Sequence, residues 1–161
     1  MENSKTYIVR YGEVALKGLN KPYFERMLIE RIRKVLRKYE GVQVKREDGL
    51  VVIRTRENLA EAIVIKEVSK VFGVDSISPA TEVESDMETI GKAAVEFMID
   101  YIKNRDIKTF KVEAKRSDKN FPIESPQIAK QIGAKILKDC KVLSVDVHNP
   151  DCRIFIHVRR E

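Results

Sequence analysis

Lys115, Arg116, Lys119 and Asn120 crowd the point where an alternating segment, Thr109 to Lys115, gives way to the loop Ser117 to Glu124. Ser125-Pro126 follows at once and reads as a helix start, with serine as the cap and proline in the first position. The first N–H groups of a helix lack intrahelical partners, and the macrodipole places partial positive charge there. Beside lysine and arginine, such a terminus can hold a phosphate. Arg116 adds a planar fork suited to phosphate oxygens. Phe121 fits two roles equally: a surface on which a base stacks, or a plug for the core. The pattern therefore points to a polyanion with unpaired bases, which is how RNA ends present themselves. A merely solvated charged loop is the plainer alternative.

Two further groups could meet phosphate. Arg26, Arg33 and Arg37 share one face of a helix expected over residues 21–40, opposite the apolar stripe Phe24, Leu28, Ile32, Val35 and Tyr39. They could track a backbone or simply keep that face soluble. Lys17 and Lys21 sit in or beside a loop, Gly12 to Leu19, where Gly12 and Gly18 permit close approach of another backbone; this loop could equally contact phosphate or a separate domain. Glu13 reads as a local hydrogen-bond partner. No nucleophile stands in a pattern with a base. His148 and His157 are apart in sequence, and Cys140 and Cys152, the only cysteines, do not make up a zinc site. No catalytic residue and no metal ligand is assigned. The thiols are expected to be buried or partly buried structural groups.

The elements that position these residues follow from spacing. Thr6 to Tyr11 is a strand. Asn20 caps the next helix, with Pro22 in its first turn, and Gly41 ends it. Val42–Arg46 and Leu50–Thr55 pair across Asp48-Gly49, a hairpin signal. Asn58 with Glu61 resembles a capping box for a helix to about Phe72, and a last strand spans Asp75 to Val83. Strand, helix, strand, strand, helix, strand is the split βαβ, or ferredoxin-like, order. A second unit begins near Ser85. It has a helix to about Lys103 capped by Ser85 and Glu88, the Thr109–Lys115 strand, the helix from Ser125, and strands over Val142–Val147 and Arg153–Arg159. The expected fold is α/β (α+β), with domains over 1–80 and 81–161.

Composition agrees with a docking surface. Charged residues make up 35% of 161 residues and the net charge is +6. The surplus is segmented: residues 81–106 hold three basic and seven acidic groups, whereas residues 108–138 hold eight and three. No apolar run approaches the ~20 residues of a membrane span. The N-terminus lacks a signal-peptide core, so a cytoplasmic location is expected.

Two stretches carry a resemblance. Arg10-Tyr11-Gly12-Glu13-Val14-Ala15-Leu16-Lys17-Gly18, followed by Asn20 to Phe24, resembles the N-terminal signature of the tRNA 4-thiouridine synthetase (thiamine-biosynthesis sulfurtransferase) family. Thr109 to Pro122 with Ser125-Pro126, and the Asn149-Pro150-Asp151 turn, resemble that family's THUMP domain. The resemblance implies a ferredoxin-like domain followed by an α/β THUMP domain. It implies binding of the tRNA acceptor stem and 3′ end, and a partner in a C-terminal catalytic domain. There ATP and Mg would adenylate a uridine at its C4 oxygen before a persulfide delivers sulfur. That domain carries a Ser-Gly-Gly-x-Asp-Ser loop. The seven glycines here are never adjacent, so this chain has no such loop, needs no cofactor of its own, and is expected to be an N-terminal fragment or a stand-alone relic. A dimerisation or domain-docking module, forming a homodimer and binding RNA weakly, is the rival reading; no membrane is expected as a partner.

Overall fold

The computed structural model describes residues 4–12 and 20–159. The chain divides into two units, Met1–Glu82 and Val83–Glu161.

In the first unit, β1 (Ser4–Arg10) is followed by α1 (Lys21–Leu36), β2 (Gln43–Glu47), β3 (Leu50–Arg56), α2 (Glu61–Ser69) and β4 (Ser76–Ala80). The sheet order is β2-β3-β1-β4, all antiparallel. This is the expected ferredoxin-like arrangement. Asn20 does cap α1: its side chain accepts from Tyr23 N–H at 2.9 Å. The hairpin turn places both Asp48 (φ 47°) and Gly49 (φ 79°) at positive φ, as a tight two-residue connection requires. Tyr7, Val9, Val51, Ile53 and Val44 alternate onto the helix side of the sheet, against Phe24, Leu28, Ile32 and Leu36 of α1 and Val64 and Val68 of α2.

Several expectations shift. Helix α1 stops at Leu36 and α2 at Ser69, short of Glu40 and Phe72. Ile29 and Leu36 are buried, whereas Val35 and Tyr39 only flank the core. The Asn58–Glu61 capping box does not form. Ala60 occupies the cap position without a side-chain bond, and Glu61 opens the helix itself. Strand β4 is shorter than Asp75–Val83, and Pro79 lies inside it, tolerated because β4 is an edge strand.

In the second unit, α3 (Met87–Tyr101) precedes β5 (Thr109–Arg116), α4 (Ser125–Asp139), β6 (Ser144–Val145) and β7 (Cys152–Val158). The sheet is parallel, in the order β6-β5-β7. Met98, Phe110, Ile128, Ile132, Ile136 and Val158 centre its core. The alternation of β5 holds: Phe110, Val112 and Ala114 meet that core, while Lys111, Glu113 and Lys115 line the other face. Helix α3 is capped by Asp86, one residue beyond Ser85, whose carboxylate accepts from Thr89 N–H and Oγ1–H. The expected strand Val142–Val147 shrinks to two residues because the chain must cross the start of β5 to reach β7. Asp151 secures that crossing: its Oδ2 accepts from Lys108 N–H (2.9 Å) and Thr109 N–H (3.1 Å). Among the described residues no helix is long and apolar enough to cross a membrane.

Candidate functional site

Strand β5 ends at Arg116, and consecutive strand residues point to opposite faces. Lys115 therefore lies on the uncovered face, in register with His157, while Arg116 turns under the following loop. The loop is tied down at both ends. Ser117 and Asp118 donate their N–H groups to Val158 O at 2.8 and 3.3 Å. Ser117 Oγ lies 2.6 Å from His157 Nε2. Asn120 N–H bonds Asp118 Oδ1 at 3.0 Å, and Phe121 N–H bonds Asp118 O at 3.1 Å. Arg116 Nη1 donates to Phe121 O at 2.7 Å. The acceptor is neutral, so the guanidinium keeps its charge unmatched by a carboxylate. Among the described residues, Lys115, Arg116 and Lys119 make no ion pair. The loop thus presents cations on a backbone already fixed, which lowers the ordering cost of binding an anion.

Two expectations at this site are corrected. Phe121 is 6% exposed and belongs to the core. Of its two readings, it fills the core one, and its ring cannot receive a base. Ser125 is not the cap of α4. Glu124 holds that position, and Ser125 Oγ instead accepts from Arg116 N–H at 3.0 Å. The helix terminus is also a poorer phosphate cradle than its sequence implies. Pro126 has no N–H, and Gln127 and Ile128 both donate to Glu124 O. Asp118 and Glu124 stand in the same segment as the three cations, so the local surplus over 115–125 is 3 − 2 = +1. Any grip on an anion rests on side chains more than on the helix end.

The other candidates are dispersed. Lys17 lies outside the described residues, as does most of the Gly12–Leu19 loop, Glu13 included. Lys21 is exposed at the start of α1. Arg26 and Arg37 are exposed, whereas Arg33 is engaged, with Nη1 on Glu30 at 2.6 Å and Nη2 on Val44 O at 2.7 Å. Cys140 is buried and Cys152 partly so, both free thiols. Burial raises both thiol pKa values, Cys140 further through Asp139, so they stay protonated and inert at neutral pH.

One cluster was missed. Glu25 is 1% exposed on α1. It accepts a short hydrogen bond from Tyr11 Oη and pairs with Arg46 Nε at 2.8 Å, although its Oε1 lacks a well-aligned donor. Its position on the apolar stripe, three and seven residues before Leu28 and Ile32, was the available signal.

The fold and this loop define a class: a ferredoxin-like domain joined to an α/β domain with a basic, pre-ordered loop. Residues 6–78 match the model of the ThiI ferredoxin-like domain and residues 84–161 that of the THUMP domain. A probable tRNA sulfurtransferase of Acetivibrio thermocellus is 42% identical over 96% of this chain and 40% of its own length. One from Alkaliphilus metalliredigens is 42% identical over 99% of this chain and 40% of its own. A crystal structure of a 4-thiouridine synthetase–RNA complex with bound ATP is 32% identical, covering 98% of this chain and 39% of that one, with a TM-score of 0.77. PH1313 from Pyrococcus horikoshii is 31% identical over 97% and 51%, with a TM-score of 0.78.

The chain belongs to the family built on these two domains, a ThiI-type ferredoxin-like domain followed by THUMP. It spans about 40% of the length of the tRNA sulfurtransferases it matches.

Proposed function

We propose that this chain is the tRNA-binding segment of a tRNA 4-thiouridine synthetase. It receives the acceptor stem and 3′ end and so places a uridine for ATP-dependent thiolation by a C-terminal catalytic domain, where ATP and Mg would reside. The relatives' names and the RNA in the complex support this reading. The observation that carries it is the Lys115–Asn120 segment, with its ordered backbone and cations unpaired by carboxylates. Phosphate contacts of this kind supply affinity and orientation, not base identity.

The test is tRNA binding by the 161-residue chain across a salt series. Log K should fall linearly with log salt, by ~0.7–0.9 for each phosphate neutralised. A flat response contradicts the reading. A chain that ignores RNA while self-associating by light scattering supports the docking-module alternative instead.

A further inference from the structure

Phe72 is 77% exposed, the most open of the large apolar side chains among the described residues. The backbone holds it there. Val71, before it, is buried in the core. Gly73, after it, has φ +100° and lies so close to α1 that an added Cβ would stand 3.0 Å from Phe24 Cζ and 3.5 Å from Leu28 Cδ1. With the chain fixed on both sides, the intervening side chain is thrown outward. Leaving such a ring in water forgoes the gain of burying it.

The surroundings are cationic. The Arg31 guanidinium lies over the Phe72 ring, 5.7 Å from its centroid. Lys34 is one turn further along the same face of α1, and Lys70 is two residues before the ring. The nearest carboxylate on α2, Glu67, is already paired with Lys38 at 3.1 Å. Asp75, three residues on, is exposed and is the remaining acid in the connection. A ring and a planar guanidinium set among lysines suit an unpaired base on a phosphate backbone: the base stacks and the lysines take its phosphates. They suit an apolar protein surface poorly, since burying this rim would strand three charges.

We infer that Phe72 and Arg31 form a stacking platform for an unpaired nucleobase of bound RNA, with Lys34 and Lys70 receiving the adjoining phosphates. This rests on the RNA-binding reading above and adds a contact in the ferredoxin-like domain, for a base rather than a phosphate.

The chain contains no tryptophan, so Phe72→Trp installs a single reporter. Its emission should be quenched by tRNA and by single-stranded RNA, and left unchanged by heparin, a polyanion without bases. Phe72→Ala should weaken binding of single-stranded RNA about fivefold to a hundredfold with an unaltered salt slope and an unaltered melting temperature. If the tryptophan emission does not move and Phe72→Ala binds like the parent, while tRNA still binds with steep salt dependence, the platform is overturned and the RNA-binding reading survives. If no RNA binds at all, both fail. If Phe72→Ala keeps its RNA affinity but loses self-association, the ring is a protein-docking contact and the inference is wrong.

Discussion

Arg116 ties the proposed binding site to the architecture. Its guanidinium fixes the Phe121 carbonyl, its backbone N–H is held by Ser125, and its charge is left for an anion. Arg116→Ala should weaken tRNA binding at least tenfold, measured by fluorescence anisotropy; unchanged affinity would place the site elsewhere. Phe121 was the residue whose role sequence left open, because an aromatic between loop and helix serves a base or a core equally well. Only the fold, which buries it in the core of the second unit, decides. Glu25 makes a different prediction. Burial, and then the hydrogen bond to Glu25, raise the pKa of Tyr11. A phenol whose folded pKa exceeds its unfolded value of about 10 binds more protons when folded. Its stabilising contribution is complete below that pH and is lost as pH rises above it. Urea unfolding across alkaline pH should therefore show a steeper loss of stability in the parent than in Tyr11→Phe. Tyr7, raised mainly by burial, contributes the same slope to both. Parallel curves would show that the Tyr11–Glu25 bond does not couple to folding.

Among the elements, those with strong local signals were legible. Asn20 with Pro22 fixed the start of α1, Asp48-Gly49 fixed the hairpin, and strict alternation identified β5 and its two faces. Caps slipped by one or two residues where the expected side chain does not bond the first N–H groups of its own helix. At α3 the carboxylate of Asp86 reaches Thr89 while Ser85 does not, and Ser125 serves the neighbouring strand instead of its own helix. Strand β6 was overestimated because Val142, Val145 and Val147 are β-prone, yet they are exposed where the chain crosses the sheet. The Phe72 exposure was invisible for a similar reason: Phe72 continues an apolar helical pattern, and nothing local announces that Gly73 will turn the chain at φ +100° against Phe24. Gly73→Ala should destabilise the first unit by about 1–2 kcal/mol from the left-handed conformation alone, with crowding against Phe24 added. Chemical denaturation checks this, and an unchanged midpoint would mean that the turn relaxes freely.

For the molecule as a whole, the ferredoxin-like order and the THUMP architecture were both expected from sequence, and both are present. The charge pattern was legible only in outline. The surplus over residues 108–138 does not collect at one point: Lys111 and Arg153 are drawn to Glu113, at 3.3 and 3.6 Å, and Lys135 to Asp139, at 3.7 Å. What remains at the end of β5 is a small, ordered set of cations. It suits a few phosphates at the end of a nucleic acid better than a long duplex. The most direct measurement compares intact tRNA with the same tRNA stripped of its unpaired 3′ nucleotides, both titrated with the 161-residue chain at one salt concentration. The trimmed molecule should lose at least tenfold in affinity. Equal affinity for the two would contradict recognition of the 3′ end.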